Sequence, residues 1–114
     1  MSRAANAMAE LIVRACDPEE VLLFGSFAKG EQRAHSDIDL LVITATRASG
    51  ALHHELRDLL VRFPVPVDVH LLTPDAARAA WADRGCFIQS ILSTAVPLYV
   101  RGDRSIVLEL RDDH

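Results

Sequence analysis

A small mixed β-sheet with helices packed on it, of the α/β (α+β) class, is the fold this sequence predicts. Short apolar runs of strand length alternate with amphipathic stretches of helical period, an order that builds a sheet covered by helices. The runs are apolar on both faces, as in strands buried from both sides. The 114 residues suit one domain, 1–114, with no repeat, low-complexity tract or linker.

Each element follows from local chemistry. Met8, Leu11, Ile12 and Ala15 recur at helical spacing, so a helix is expected from about Ala4 to Ala15. Asp17-Pro18 ends it, because a residue before proline avoids the α region. Val21 to Phe24 is a continuous apolar run and reads as a buried strand. Gly25-Ser26 breaks it, Phe27 to Gly30 can make one helical turn, and Glu31 to Ser36 is a polar loop. From Asp37 to Thr44 a strand places Ile38, Leu40 and Val42 on one face and Asp37, Asp39, Leu41 and Ile43 on the other. Leu52, Leu56, Leu59, Leu60 and Phe63 form one stripe of a helix over Ala51 to Phe63, closed by Pro64 and Pro66. Val67 to Leu72 is a third strand. Thr73-Pro74 caps a helix reaching about Asp83, with proline at its first position. A further helix runs from Phe87 to Thr94 and a short strand from Leu98 to Val100. Ile106 to Leu110 is read as a small strand or a docked tail, and as an apolar surface for a partner.

Composition limits the function. Half the residues are hydrophobic and a quarter charged, with a formal net charge of −4. An acidic chain lacks the continuous basic track that extended nucleic-acid binding needs. No apolar run approaches the ~20 residues that cross a bilayer. No signal-peptide pattern opens the chain, so a cytoplasmic location is expected. Cys16 and Cys86 form no CxxC pattern and read as reduced thiols.

One stretch carries chemistry: Gly25-Ser26, ten residues, then Asp37-Ile38-Asp39, opening at the end of one strand and closing inside the next. Gly25 lets backbone approach a ligand closely, Ser26 adds a hydroxyl, and a helical turn behind them offers free N–H groups. Together they suit the phosphates of a nucleoside triphosphate. Asp37 and Asp39 lie two apart on a strand and project from one face. Two carboxylates at ~4 Å repel by about 4 kcal/mol at an effective dielectric of 20. A hard divalent cation such as Mg²⁺ removes that cost. Asp68 interrupts the apolar third strand. If that strand pairs beside the second, three carboxylates converge and two Mg²⁺ ions can bridge them. Asp68 then ligates the catalytic ion or acts as general base. The structural alternative for Asp68 is an ion pair with an arginine such as Arg62. Lys29 and Ser36 are further nucleotide-binding candidates, each set against a solvated role. His70 shares the face of Asp68 and is read as a partly buried, non-catalytic histidine.

The string Gly-Ser, ten residues, Asp-Ile-Asp resembles the signature of the DNA polymerase beta-like nucleotidyltransferase superfamily. The GSFAKGE wording, the SDIDLLV strand and the short length resemble its minimal nucleotidyltransferases, and VDVHLLT and ILSTAVPLYVRG match its later elements. The resemblance covers roughly Val21 to Gly102 and implies the nucleotidyltransferase fold. It implies phosphate contacts at Gly25 and Ser26, and catalytic, Mg²⁺-binding roles for Asp37, Asp39 and Asp68. Phe27 departs from it, standing where many members carry arginine, with Lys29 as the nearby cation.

The activity implied is transfer of a nucleoside monophosphate, AMP from ATP, to a hydroxyl. Minimal members act beside a small helical HEPN partner, often as antitoxin to a toxin, so the resemblance implies a hydroxyl on such a protein as acceptor. The rival reading is a non-catalytic nucleotide-binding module that grips its partner.

Overall fold

The computed structural model describes residues 3–25, 38–45, 50–83, 87–102 and 104–112. They form helix α1 (Arg3–Cys16), strands β1 (Glu20–Phe24) and β2 (Ile38–Ile43), helix α2 (Gly50–Leu60), strand β3 (Val67–Leu72), helices α3 (Pro74–Ala82) and α4 (Phe87–Thr94), strand β4 (Val96–Val100) and helix α5 (Ile106–Asp112). The sheet order is β3-β2-β1-β4. β1 is antiparallel to β2 and to β4, whereas β2 and β3 run parallel. This is the mixed sheet with packed helices that the pattern of runs predicts.

Each face of the sheet is closed by its own helices, which is why its strands are apolar on both sides. Met8 and Ile12 of α1 and Leu56 and Leu60 of α2 pack on Val21, Leu23, Ile38, Leu40 and Val42. On the other face, Ala77 of α3, Ile91 and Leu92 of α4 and Val107 of α5 pack on Leu22, Phe24, Leu41 and Ile43. The alternation expected along β2 is the alternation found, and it puts Asp39 on the α3–α5 face.

Local signals set most boundaries. Asp17 takes a left-handed φ of 47° just past α1 and its N–H bonds the Val13 carbonyl at 2.9 Å, a helix stop before Pro18. Thr73 caps α3, its hydroxyl accepting from the Ala76 N–H at 3.1 Å. Three expectations need correction. α2 ends at Leu60 rather than Phe63, because Pro64 and Pro66 push Phe63 and Val65 out of the helical region. β4 begins at Val96, since Pro97 is tolerated on an edge strand.

The third correction is the segment from Ile106, which is a helix rather than a strand, and it docks on the core through Val107. Ser105 caps it, accepting from the Leu108 N–H at 3.2 Å. The carboxylate of Glu20, 1% exposed, receives the Ser105 hydroxyl and the N–H groups of Ile106 (3.0 Å) and Val107 (3.4 Å). Burial pushes the Glu20 carboxyl above its ordinary range, and these donors oppose that rise. Arg111 then fastens α5 to the end of α4 by donating to the carbonyls of Leu92 (2.7 Å) and Ala95. Val107 is buried in the core, whereas Leu108 of the same helix is exposed.

Candidate active site

β1 delivers its last residue, Phe24, directly opposite Asp39 of β2. β2 in turn sets Asp39 beside Asp68 of β3, in register. Directly paired residues of neighbouring strands project from the same face. Phe24, Asp39 and Asp68 therefore form one row across three strands, at the end of the sheet where β2 and β3 begin. The condition attached to Asp68 from sequence, that its strand pair beside β2, is met.

Gly25 closes this corner. Its φ is +76°, a left-handed conformation that glycine adopts without penalty. It is also held close to the acid: a Cβ at this position would overlap Asp39 Oδ2 and lie 3.3 Å from Asp39 Cγ. The dihedral favours glycine, and a side chain here would have to displace the Asp39 carboxylate. Gly25 at the end of β1 thus lies close against the Asp39 side chain of β2.

The two acids differ in exposure. Asp39 is half-buried and Asp68 exposed, so water reaches Asp68 and so can an incoming group. Solvent also screens their repulsion toward the ~1 kcal/mol expected for charges 4 Å apart in bulk water. Among the described residues no ion pair joins Asp68 to Arg62.

Ser26, Lys29, Ser36 and Asp37, with the turn expected over Phe27 to Gly30, lie outside the described residues. Among the described residues there is no group of three histidine, cysteine or acidic side chains able to hold a metal ion. The donors present still fit one. Asp39 and Asp68 are hard oxygen ligands side by side, and the sequence supplies Asp37 next to Ile38.

Sequence reasoning left Phe24 as an ordinary core residue and His70 as a bystander. Their rings meet edge-on, centroids 5.3 Å apart at 66°, next to Asp39. The readable signal was position: Phe24 precedes the glycine, and His70 follows Asp68 by two on the same face.

Residues 2–92 match the family model described as nucleotidyltransferase domain, and the chain belongs to that family. No curated protein matches it. Among solved structures it is similar to a chain in a crystal structure of a toxin–antitoxin with AMP-PNP, at TM-score 0.64 and 21% identity, covering 94% of this chain and 84% of that one. It is similar to a chain in the structure of tri-AMPylated Shewanella oneidensis HEPN toxin in complex with MNT antitoxin, at TM-score 0.63 and 18% identity over 98% and 85% of the two chains. A putative nucleotidyltransferase from Sulfolobus solfataricus matches at TM-score 0.59 and 22% identity over 87% and 79%. Likeness at these identities is likeness of fold.

Proposed function

We propose that the chain transfers AMP from ATP to a hydroxyl on a protein partner, and that the partner is a small helical protein of HEPN type. The observation that carries this reading is the corner itself: Gly25 against the Asp39 carboxylate, with Asp68 in register alongside. It is supported by family membership and by fold-level likeness to toxin–antitoxin chains solved with AMP-PNP and with an AMPylated HEPN toxin.

Gly25 and Ser26 hold the β- and γ-phosphates, with Lys29 and Ser36 completing the nucleotide contacts. Asp37, Asp39 and Asp68 are the residues that would hold Mg²⁺, as two ions. When bound, Mg²⁺ supplies charge neutralisation on the triphosphate and lowers the pKa of the attacking hydroxyl. The acceptor oxygen attacks the α-phosphorus, the bond to the bridging oxygen breaks, and pyrophosphate leaves. The acceptor proton passes to Asp68 where it serves as base. Asp68 suits an acceptor arriving from outside because it is exposed. A docked protein also supplies the wall that excludes water and favours transfer over hydrolysis.

No described helix is long and apolar enough to cross a membrane, and we place the activity in the cytoplasm, where ATP is abundant. The test is to incubate the chain with α-labelled ATP, Mg²⁺ and a co-purifying HEPN-type protein. Covalent label on the protein, mapped to a hydroxyl by mass spectrometry, is expected. Label confined to RNA or small metabolites would overturn the protein acceptor. Bound nucleotide with no covalent label would favour the binding-module reading.

A further inference from the structure

We propose that His70 is a positioning residue for this site, holding Phe24, and through it the Gly25 turn, against Asp39. The nucleotide part of the argument rests on the function proposed above; the structural part does not.

The geometry starts from strand spacing. Phe24 is on β1 and His70 on β3, with β2 between them. Two strand spacings amount to roughly 9.5 Å. The ring centroids are nevertheless 5.3 Å apart. Both rings therefore lean inward over β2. Phe24 is opposite Asp39, and His70 is opposite Leu41, one row further along the same face. The rings thus meet over β2, on the face that carries Asp39. An edge-on contact at 66° is the favoured arrangement for two aromatic rings.

This contact ties β3, which carries Asp68, to the end of β1, which carries Gly25. Phe24 is covalently next to Gly25, and Gly25 has no slack toward Asp39 because their atoms are already in contact. A Phe24 ring free to move would carry the turn with it. Leu41 is buried beneath the rings, and Phe24 belongs with it to the core on that face. His70 also lines a cavity of about 340 Å³ along the outer edge of β3, with His53, Ile88 and Leu72. That side is open, so removing the imidazole leaves no closed void and the fold survives the change.

The experiment compares His70→Ala with His70→Phe in the full chain. In the nucleotide-free protein, amide hydrogen exchange at Gly25 and Asp39 should quicken about three- to tenfold in H70A, the range such a ring contact supports. Exchange at Leu22 and Val42 should not change, and H70F should restore the wild-type rates. In the transfer assay with Mg²⁺-ATP, KM should rise by a similar factor in H70A while kcat holds within about twofold, and H70F should again rescue. Unchanged exchange at Gly25 in H70A, or an H70F variant as impaired as H70A, overturns the proposal. Should H70A fail to fold, His70→Leu, which fills the space without a ring, gives the same comparison. A wild-type chain that binds no nucleotide would sink the proposed function, while the exchange measurement would still decide the role of His70.

Discussion

The strand β1 has a carboxylate problem at each end, and the fold solves the two in opposite ways. At its start, Glu20 is buried and surrounded by donors from Ser105, Ile106 and Val107. At its finish, Asp39 and Asp68 stand side by side, one half-buried and one exposed, at a glycine turn. The first acid is satisfied from within and makes structure, fixing α5 on the sheet. The second pair sets two acidic side chains in register on neighbouring strands, in the row that ends beside Gly25.

The comparison can be broken most sharply at Asp68. Asp68→Asn should lower labelled transfer at saturating ATP by about 10²- to 10⁴-fold, the usual worth of a positioned general base. The nucleotide dissociation constant, measured alongside, should stay near wild type, since Asp68 is on β3 and Asp39 on β2. Full transfer by the variant would remove Asp68 from the chemistry.

Glu20→Ala is the matching cut at the other end. It strips the partner from a buried hydroxyl and two N–H groups, at a cost of about 1–3 kcal/mol of stability by urea unfolding. Nucleotide affinity of the folded fraction should not move, because Glu20 lies at the far end of β1 from Gly25. A pH series sharpens this. Burial raises the Glu20 carboxyl above 4.5 in the folded chain. The folded state therefore holds its proton longer than the unfolded state does. That stabilising contribution is fully present below about pH 4.5 and is lost as pH rises through the folded value. Wild type should lose stability relative to Glu20→Gln over that rise, and a parallel pair of curves would contradict the burial argument.

The smallest effect is expected at Arg101, which pairs with Asp17 at 2.6 Å and Glu19 at 3.4 Å close to the buried Glu20 end. These groups are largely solvated, so Arg101→Ala should cost no more than about 1 kcal/mol by thermal denaturation, less at high salt. A larger loss would mean that the Glu20 end depends on its surface ions as well as its buried donors.

The two ends also differ in how legible they were. The site end could be read because its signals are local or periodic: Gly25-Ser26 after an apolar run, Asp39 inside a strand where aspartate is rare, Asp68 likewise, and alternation that fixes their face. The parallel pairing that sets Asp68 beside Asp39 was a condition in the sequence and became a fact only with the register. The structural end was unreadable, because Glu20 and Ser105 are 85 residues apart and a glutamate opening a strand looks like a surface residue. The apolar run from Ile106 was read toward a strand, and the serine before it turned out to cap a helix. The Phe24–His70 contact was hidden for the same reason, being a meeting of rings across an intervening strand.

The central claim is that the Asp39 corner binds a metal-bound triphosphate, and calorimetric titration of Asp39→Asn with Mg²⁺ and ATP tests it most directly. Loss of one carboxylate should weaken Mg²⁺-dependent ATP binding by at least about tenfold, the scale of one lost charge-assisted ligand contact. The same variant, freed of its like-charged neighbour, should unfold at a slightly higher temperature without metal. An affinity equal to wild type in a folded Asp39→Asn protein would contradict the account and remove Asp39 from the metal site.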